Sequence, residues 1–148
     1  MKISLKMISV LFIFAVFLSC KSMPTEVDQA WSEENFFIAA QEASDLSNYK
    51  AALFYYEVFL VRYPENHTKG IAAEYERAFI YYKLNKYKKA ESLFNDIIDK
   101  YETSPNAMYY EERYRILTNI VLDRINEKKI KKKDSKSGEA IPDEPAEG

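Results

Sequence analysis

Few residues of this chain could do chemistry, and they do not converge. His67 is the single histidine and Cys20 the single cysteine, so neither a disulfide framework nor a Cys/His metal cluster can be built. His67 sits in a polar stretch with no second imidazole or thiol nearby, and it reads as a solvated loop residue rather than a base or ligand, either of which needs a supporting partner. The pairs Glu33-Glu34 and Glu111-Glu112 read as helix-start charges facing the positive end of a helix dipole. No phosphate loop, dinucleotide fingerprint or nucleophile elbow occurs. The expectation is a non-enzyme with no catalytic residues, no metal and no cofactor. Tyrosine is the residue type left with something to do. Tyr55-Tyr56, Tyr81-Tyr82 and Tyr109-Tyr110 recur along the chain, and tyrosine is enriched where an interface buries an apolar body and a polar tip.

The elements that would position these rings come from an internal repeat. Tyr49-Lys50-Ala51-Ala52 returns as Tyr87-Lys88-Lys89-Ala90, and Phe59-Leu60-Val61-Arg62-Tyr63 returns as Ile97-Ile98-Asp99-Lys100-Tyr101. Ala40 pairs with Ala78, Leu46 with Leu84 and Tyr56 with Phe94 at the same offset of 38 residues. A fixed period in this range signals stacked supersecondary units, each burying its apolar face against its neighbours. Apolar residues make up 47% of the 148, and only 3 Gly and 5 Pro interrupt them, which favours long helices. Ser32 is positioned to cap a helix over 33–46. A second follows from Tyr49 to the stop at Pro64, a third over 71–84, a fourth over 87–101 and a last over 107–129. Tyr114, Leu117, Val121 and Ile125 should form the face by which that last helix closes the stack. The fold expected is all-α, a helical-hairpin solenoid of about five helices occupying 32–130, after a tether over 20–31 and before a disordered tail over 131–148.

Charge narrows the partners. A net charge of −2 argues against a nucleic-acid binder, which carries a basic excess. The run around Lys128–Lys133 reads as cations at a helix C-terminus. At the other end, Lys2 and Lys6 precede an apolar run from Met7 to Leu18, the layout of an export signal and too short for a comfortable membrane span.

Two resemblances follow from these residues. Phe17-Leu18-Ser19-Cys20, closing the apolar run, resembles a bacterial lipoprotein signal with its lipobox. That implies a cleaved signal peptide over 1–19 and a lipidated Cys20 (acyl chains such as palmitate) as the first mature residue. Two or three chains hold a domain at a bilayer without a spanning helix, where one chain binds only reversibly. The helix pairs resemble tetratricopeptide repeats, with Ala40, Ala43, Tyr49, Ala52, Tyr56 and Pro64 in one copy and Ala78, Tyr81, Tyr87, Ala90 and Phe94 in the next. On that pattern Ala40 and Ala52, and Ala78 and Ala90, mark close helix crossings. Tyr49 and Tyr87 fill the turn wedge, and Tyr56 and Tyr81 are core.

Phe59 and Ile97 stand where alanine is usual, and the period exceeds the common 34. With the phrase Phe59-Leu60-Val61-Arg62-Tyr63-Pro64-Glu65-Asn66, these features resemble the BamD family of outer-membrane lipoproteins over about residues 33–125. The resemblance implies a scaffold of the outer-membrane β-barrel assembly machinery, lipid-anchored on the periplasmic face of the outer membrane. Its protein partner would be a BamA-like barrel-forming subunit. A periplasmic or surface adaptor for envelope or division complexes, or for an external ligand, is the alternative. On the repeat assignment Tyr75, Phe79 and Tyr82, with Phe37, Gln41 and Ser44 one repeat earlier, line the concave groove where a partner would bind. The other reading of those three aromatics is plain packing against a neighbouring helix.

Overall fold

A computed structural model of the chain describes residues 26–137. The expectations for the signal, for Cys20 and for the end of the tail lie outside the described residues. Within them the chain is all-helical, with five α-helices and no strand: α1 Glu33–Asp45, α2 Tyr49–Arg62, α3 His67–Lys83, α4 Tyr87–Thr103 and α5 Glu112–Ser137. A short 3-10 turn, Ala107–Tyr109, precedes α5.

The 38-residue offset reappears in the backbone. α1 and α3 both end on a leucine, Leu46 and Leu84, each at φ −76° and ψ 4°. The next residue of each turn takes a left-handed conformation, Ser47 at φ 56° and Asn85 at φ 58°. Asn48 N–H then reaches back to Ala43 O, and Lys86 N–H to Tyr81 O, closing the helix end in the same way twice. These two turns fold α2 back on α1 and α4 back on α3.

Packing follows the small residues. Ala40 and Ala52 are fully buried in one core, and Ala78 and Ala90 are fully buried in a second. Phe59 and Ile97, the bulky residues at an expected alanine position, fill those two cores at equivalent points. Tyr56 meets Ala73 and Ile80 of α3 in the first core, and Phe94 meets Val121 and Ile125 of α5 in the second. Tyr49 and Tyr87 pack half-buried at the turns. α3 belongs to both cores: Ala73 and Ile80 face one, Ile71, Tyr75 and Ala78 the other.

The structure differs from the sequence reading in several places. α3 begins at His67, four residues earlier than expected, because the Asn66 side chain accepts from Lys69 N–H at 3.0 Å and caps the first turn. His67 is therefore helical rather than in a loop. Ser32 holds the N-cap position of α1, but its hydroxyl bonds the Asn35 side chain instead of a backbone N–H.

α5 starts at Glu112 rather than at 107. Tyr110 is extended there, its ring edge-on to Tyr101 at 5.3 Å, and Tyr101 donates to Glu111 O at 2.6 Å. The closing face of α5 runs through Thr118, which is fully buried, while Leu117 stays partly exposed. Both positions satisfy a 3–4 spacing from Tyr114 and Val121, and the geometry selects the threonine. Its hydroxyl is buried without a partner, an arrangement that costs stability. Tyr81 is half-buried at the rim under Lys86, not in the core; Ile80 beside it is the buried residue. α5 continues to Ser137, so 131–137 is helical rather than tail; no Gly or Pro stops it before Gly138, and residues 131–135 are exposed. At the other end, Val27 and Trp31 of the expected tether pack on the first core. Trp31 meets Phe36 and Tyr55, and Arg62 donates to Asp28 O.

Left-handed geometry at a non-glycine residue costs about 1 kcal/mol, less for asparagine. Ser47→Gly is expected to stabilise the chain by about 0.5–1 kcal/mol in urea unfolding. Asn85→Gly should gain less, since Asn85 also accepts a hydrogen bond from the Tyr87 hydroxyl.

Candidate functional site: a cleft between α1, α3 and α5

The first helix of each hairpin and the final helix face one another across a cleft of about 450 Å³. α1 contributes Glu34, Phe37, Ile38, Gln41 and Glu42; α2 adds Tyr56, α3 Glu76 and α5 Tyr114. The floor is aromatic. The Phe37 ring sits edge-on to Tyr56 at 5.6 Å and to Phe59 at 4.9 Å. On the other side Tyr114 lies 5.5 Å from Tyr75.

A ladder of rings extends along α3 from this point. Tyr75 stacks on Phe79 at 5.9 Å and Phe79 on Tyr82 at 5.8 Å, with interplanar angles of 13° and 14°. Tyr82 then meets Tyr87 at 5.6 Å. Lys83 places its ammonium 5.1 Å from the Phe79 centroid and 5.9 Å from that of Tyr49, and Lys128 stands 5.4 Å over Tyr87. These contacts are the cation–π kind.

Of the six residues expected in the groove, Phe37 and Gln41 line the cleft. Gln41 is exposed and donates to Asp45 at 3.0 Å. Ser44 is half-buried one turn on. Tyr75 is 6% exposed and belongs to the second core. Phe79 and Tyr82 remain half-buried, stacked along α3 and packed at the edge of that core. The sequence reading missed Ile38, Glu76 and the acidic rim of Glu34 and Glu42. A signal for two of them was present: Ile38 and Glu76 are separated by the repeat offset of 38.

Glu76 is the electrostatic centre. Burial raises its pKa above the ordinary 4.5, partly offset by Lys83. Its negative charge, after burial itself, raises the Tyr56 phenol, and with burial it pushes Tyr75 up to about 12 against the pull of Arg124. Three carboxylates, Glu34, Glu42 and Glu76, line the cleft, and among the described residues no basic side chain does. The arrangement can hold an apolar or aromatic segment on its floor, and it presents acceptors for donors on that segment.

A larger open cleft of about 760 Å³ lies at the α2–α3 junction, lined among others by Glu33, Arg62, Asn66, His67 and Tyr109. Several of its polar groups help to hold the junction. Asn66 donates to Glu33 at 2.7 Å, Thr68 donates to Tyr109 O at 2.9 Å, and Lys69 pairs with Glu33 at 3.4 Å. His67 lies against Tyr109 at 6.0 Å and reaches Glu65 only at 3.9 Å. Among the described residues no group of His, Cys, Asp and Glu could hold a metal, and no helix is long and apolar enough to cross a membrane.

Because the folded chain holds the Glu76 proton to higher pH than the unfolded chain, stability falls as pH rises from 4.5 through the raised value. Glu76→Gln removes that fall. The variant should melt at the same temperature as the parent near pH 4 and higher than it at pH 7, read by circular dichroism.

Over 121 residues the chain is 33% identical to an uncharacterized protein of Treponema pallidum (strain Nichols). The matched stretch takes in 80% of this chain and 46% of that protein, so the chain spans about half the length of this relative. No family model matches the chain, and no solved structure matches it.

Proposed function

We propose that this chain is a tetratricopeptide-like scaffold lipoprotein of the BamD kind, a non-catalytic subunit of the outer-membrane β-barrel assembly machinery. In this reading Cys20 carries the lipid that holds it on the periplasmic face of the outer membrane. The cleft between α1, α3 and α5 grips the BamA-like barrel-forming subunit or a barrel substrate. The observation that carries the reading is the cleft itself. Two hairpins related by 38 residues, each closed by a turn of the same geometry, bring their first helices and α5 around an aromatic-floored concavity. Stacked helical hairpins present such surfaces to extended or helical peptides. The resemblance of the Phe59 to Asn66 stretch and of the residues ending at Cys20 supplies the address and the machine.

The test is affinity purification of the chain from its own envelope in mild detergent, paired with depletion. The proposal expects the barrel-forming subunit to co-purify and outer-membrane barrel proteins to fall on depletion. Absence of that subunit together with unchanged barrel-protein levels would remove the proposal.

A further inference from the structure

The cleft between α1, α3 and α5 contains a charge that the fold does not use. Glu76 is half-buried there, and among the described residues it has no ion pair and no hydrogen bond. The other carboxylate of α3, Glu74, pairs with Lys100. Basic side chains around Glu76 are committed elsewhere. Arg77, next along α3, reaches Glu57 at 3.6 Å, and Lys69 is shared between Glu33 and Glu34. Arg113 lies over the Tyr114 ring and pairs with Glu111 at 3.0 Å. Lys83, the cation whose field reaches Glu76, rests on the Phe79 and Tyr49 rings. A partly desolvated carboxylate without a counter-charge costs stability. A position that weakens the fold and makes no contact within it is where a binding role is to be sought.

The surroundings of Glu76 set the class of ligand. Glu34 and Glu42 stand on the α1 wall of the same space, and the Phe37, Tyr56 and Tyr114 rings border it. Carboxylates attract a cation by charge and ring faces attract it through their quadrupole, and both disfavour an acidic group. Among the described residues these carboxylates do not gather into a group that could hold a metal ion. A guanidinium or ammonium on an aliphatic stem suits them better, since the head can reach Glu76 while the stem lies along the aromatic floor. Ile38, which lines the cleft and is 51% exposed, offers a contact for an apolar residue beside that stem.

We infer that the cleft recognises a basic side chain, arginine or lysine, carried on a partner peptide segment next to an apolar residue. Glu76 is its counter-charge, Glu34 and Glu42 form the acidic rim, and Phe37, Tyr56 and Tyr114 form the floor. The inference rests on the reading of this cleft as the partner-binding site and adds what the partner presents there. It does not depend on which protein supplies the segment.

The experiment is binding of the full chain, in mild detergent at pH 7 and low salt, to an array of short random peptides. The best binders are then titrated in solution by fluorescence anisotropy, with circular dichroism as a control for the fold of each variant. Bound peptides should be enriched in arginine or lysine adjacent to an aliphatic or aromatic residue. Changing that basic residue to glutamine should weaken binding ~10-fold, and Glu76→Gln should weaken it by a similar factor, the loss of one hydrogen bond between charged groups. The two changes together should cost little more than either alone, since they remove the same contact. Enrichment of neutral or acidic peptides whose binding is weakened by Ile38→Ser would overturn the inference and leave the cleft a binding site. Basic peptides bound equally by the parent and by Glu76→Gln overturn it too. Binding that neither Ile38→Ser nor Glu76→Gln alters, or no binding at all, would remove the reading of the cleft along with it.

Discussion

The two-sided burial of α3 is the constraint on which the rest of this structure depends. One helix must fill two cores, and it does so by dividing its faces: Ala73 and Ile80 serve the first, Ile71, Tyr75 and Ala78 the second. A helix buried on two sides can approach both neighbours only where its side chains are small, and Ala72, Ala73 and Ala78 are all buried. The charges on α3 respect the same division. Arg77 reaches back to Glu57 of α2 at 3.6 Å, while Glu74 pairs forward with Lys100 of α4. Neither hairpin has a closed core without this helix, which is the physical meaning of a repeat that buries its face against its neighbour.

The cleft is a consequence of that arrangement. With its apolar residues committed to left and right, α3 presents what remains, and Glu76 is its contribution to the cleft it shares with α1 and α5. Its carboxyl is partly desolvated because Tyr56 and Tyr114 border the same space. An acidic group over an aromatic floor is therefore not an isolated feature. It sits on the helix whose placement is most strongly determined, which is where a recognition surface gains most from rigidity.

Much of this was legible in the sequence because it is periodic. The offset of 38 pointed to both turns, and the repeat pattern it resembles to the alanine crossings at Ala40, Ala52, Ala78 and Ala90. What escaped was decided by contacts that periodicity does not encode. Leu117 and Thr118 both satisfy the spacing of the closing face, and only the pose of α5 on α4 chooses between them. The early start of α3 rests on a single side-chain cap from Asn66. Tyr75 carries the same residue type as a groove aromatic, yet contacts with Phe94 and Tyr114 draw it into the core. Of the six groove residues inferred from the repeat, Phe37 and Gln41 line the cleft, while their equivalents Tyr75 and Phe79, 38 residues on, pack with the second core, which has α5 beside it where the first core has α3.

If α3 is the shared wall, the two hairpins cannot unfold separately. Native-state hydrogen exchange on Ile80→Ala tests this most directly. Ile80 packs in the first core alone, and its truncation should cost about 2–5 kcal/mol. The account predicts that the slowest-exchanging amides of α2 and of α4 lose protection by the same amount. Loss confined to α1 and α2, with α4 as protected as in the parent, would contradict it.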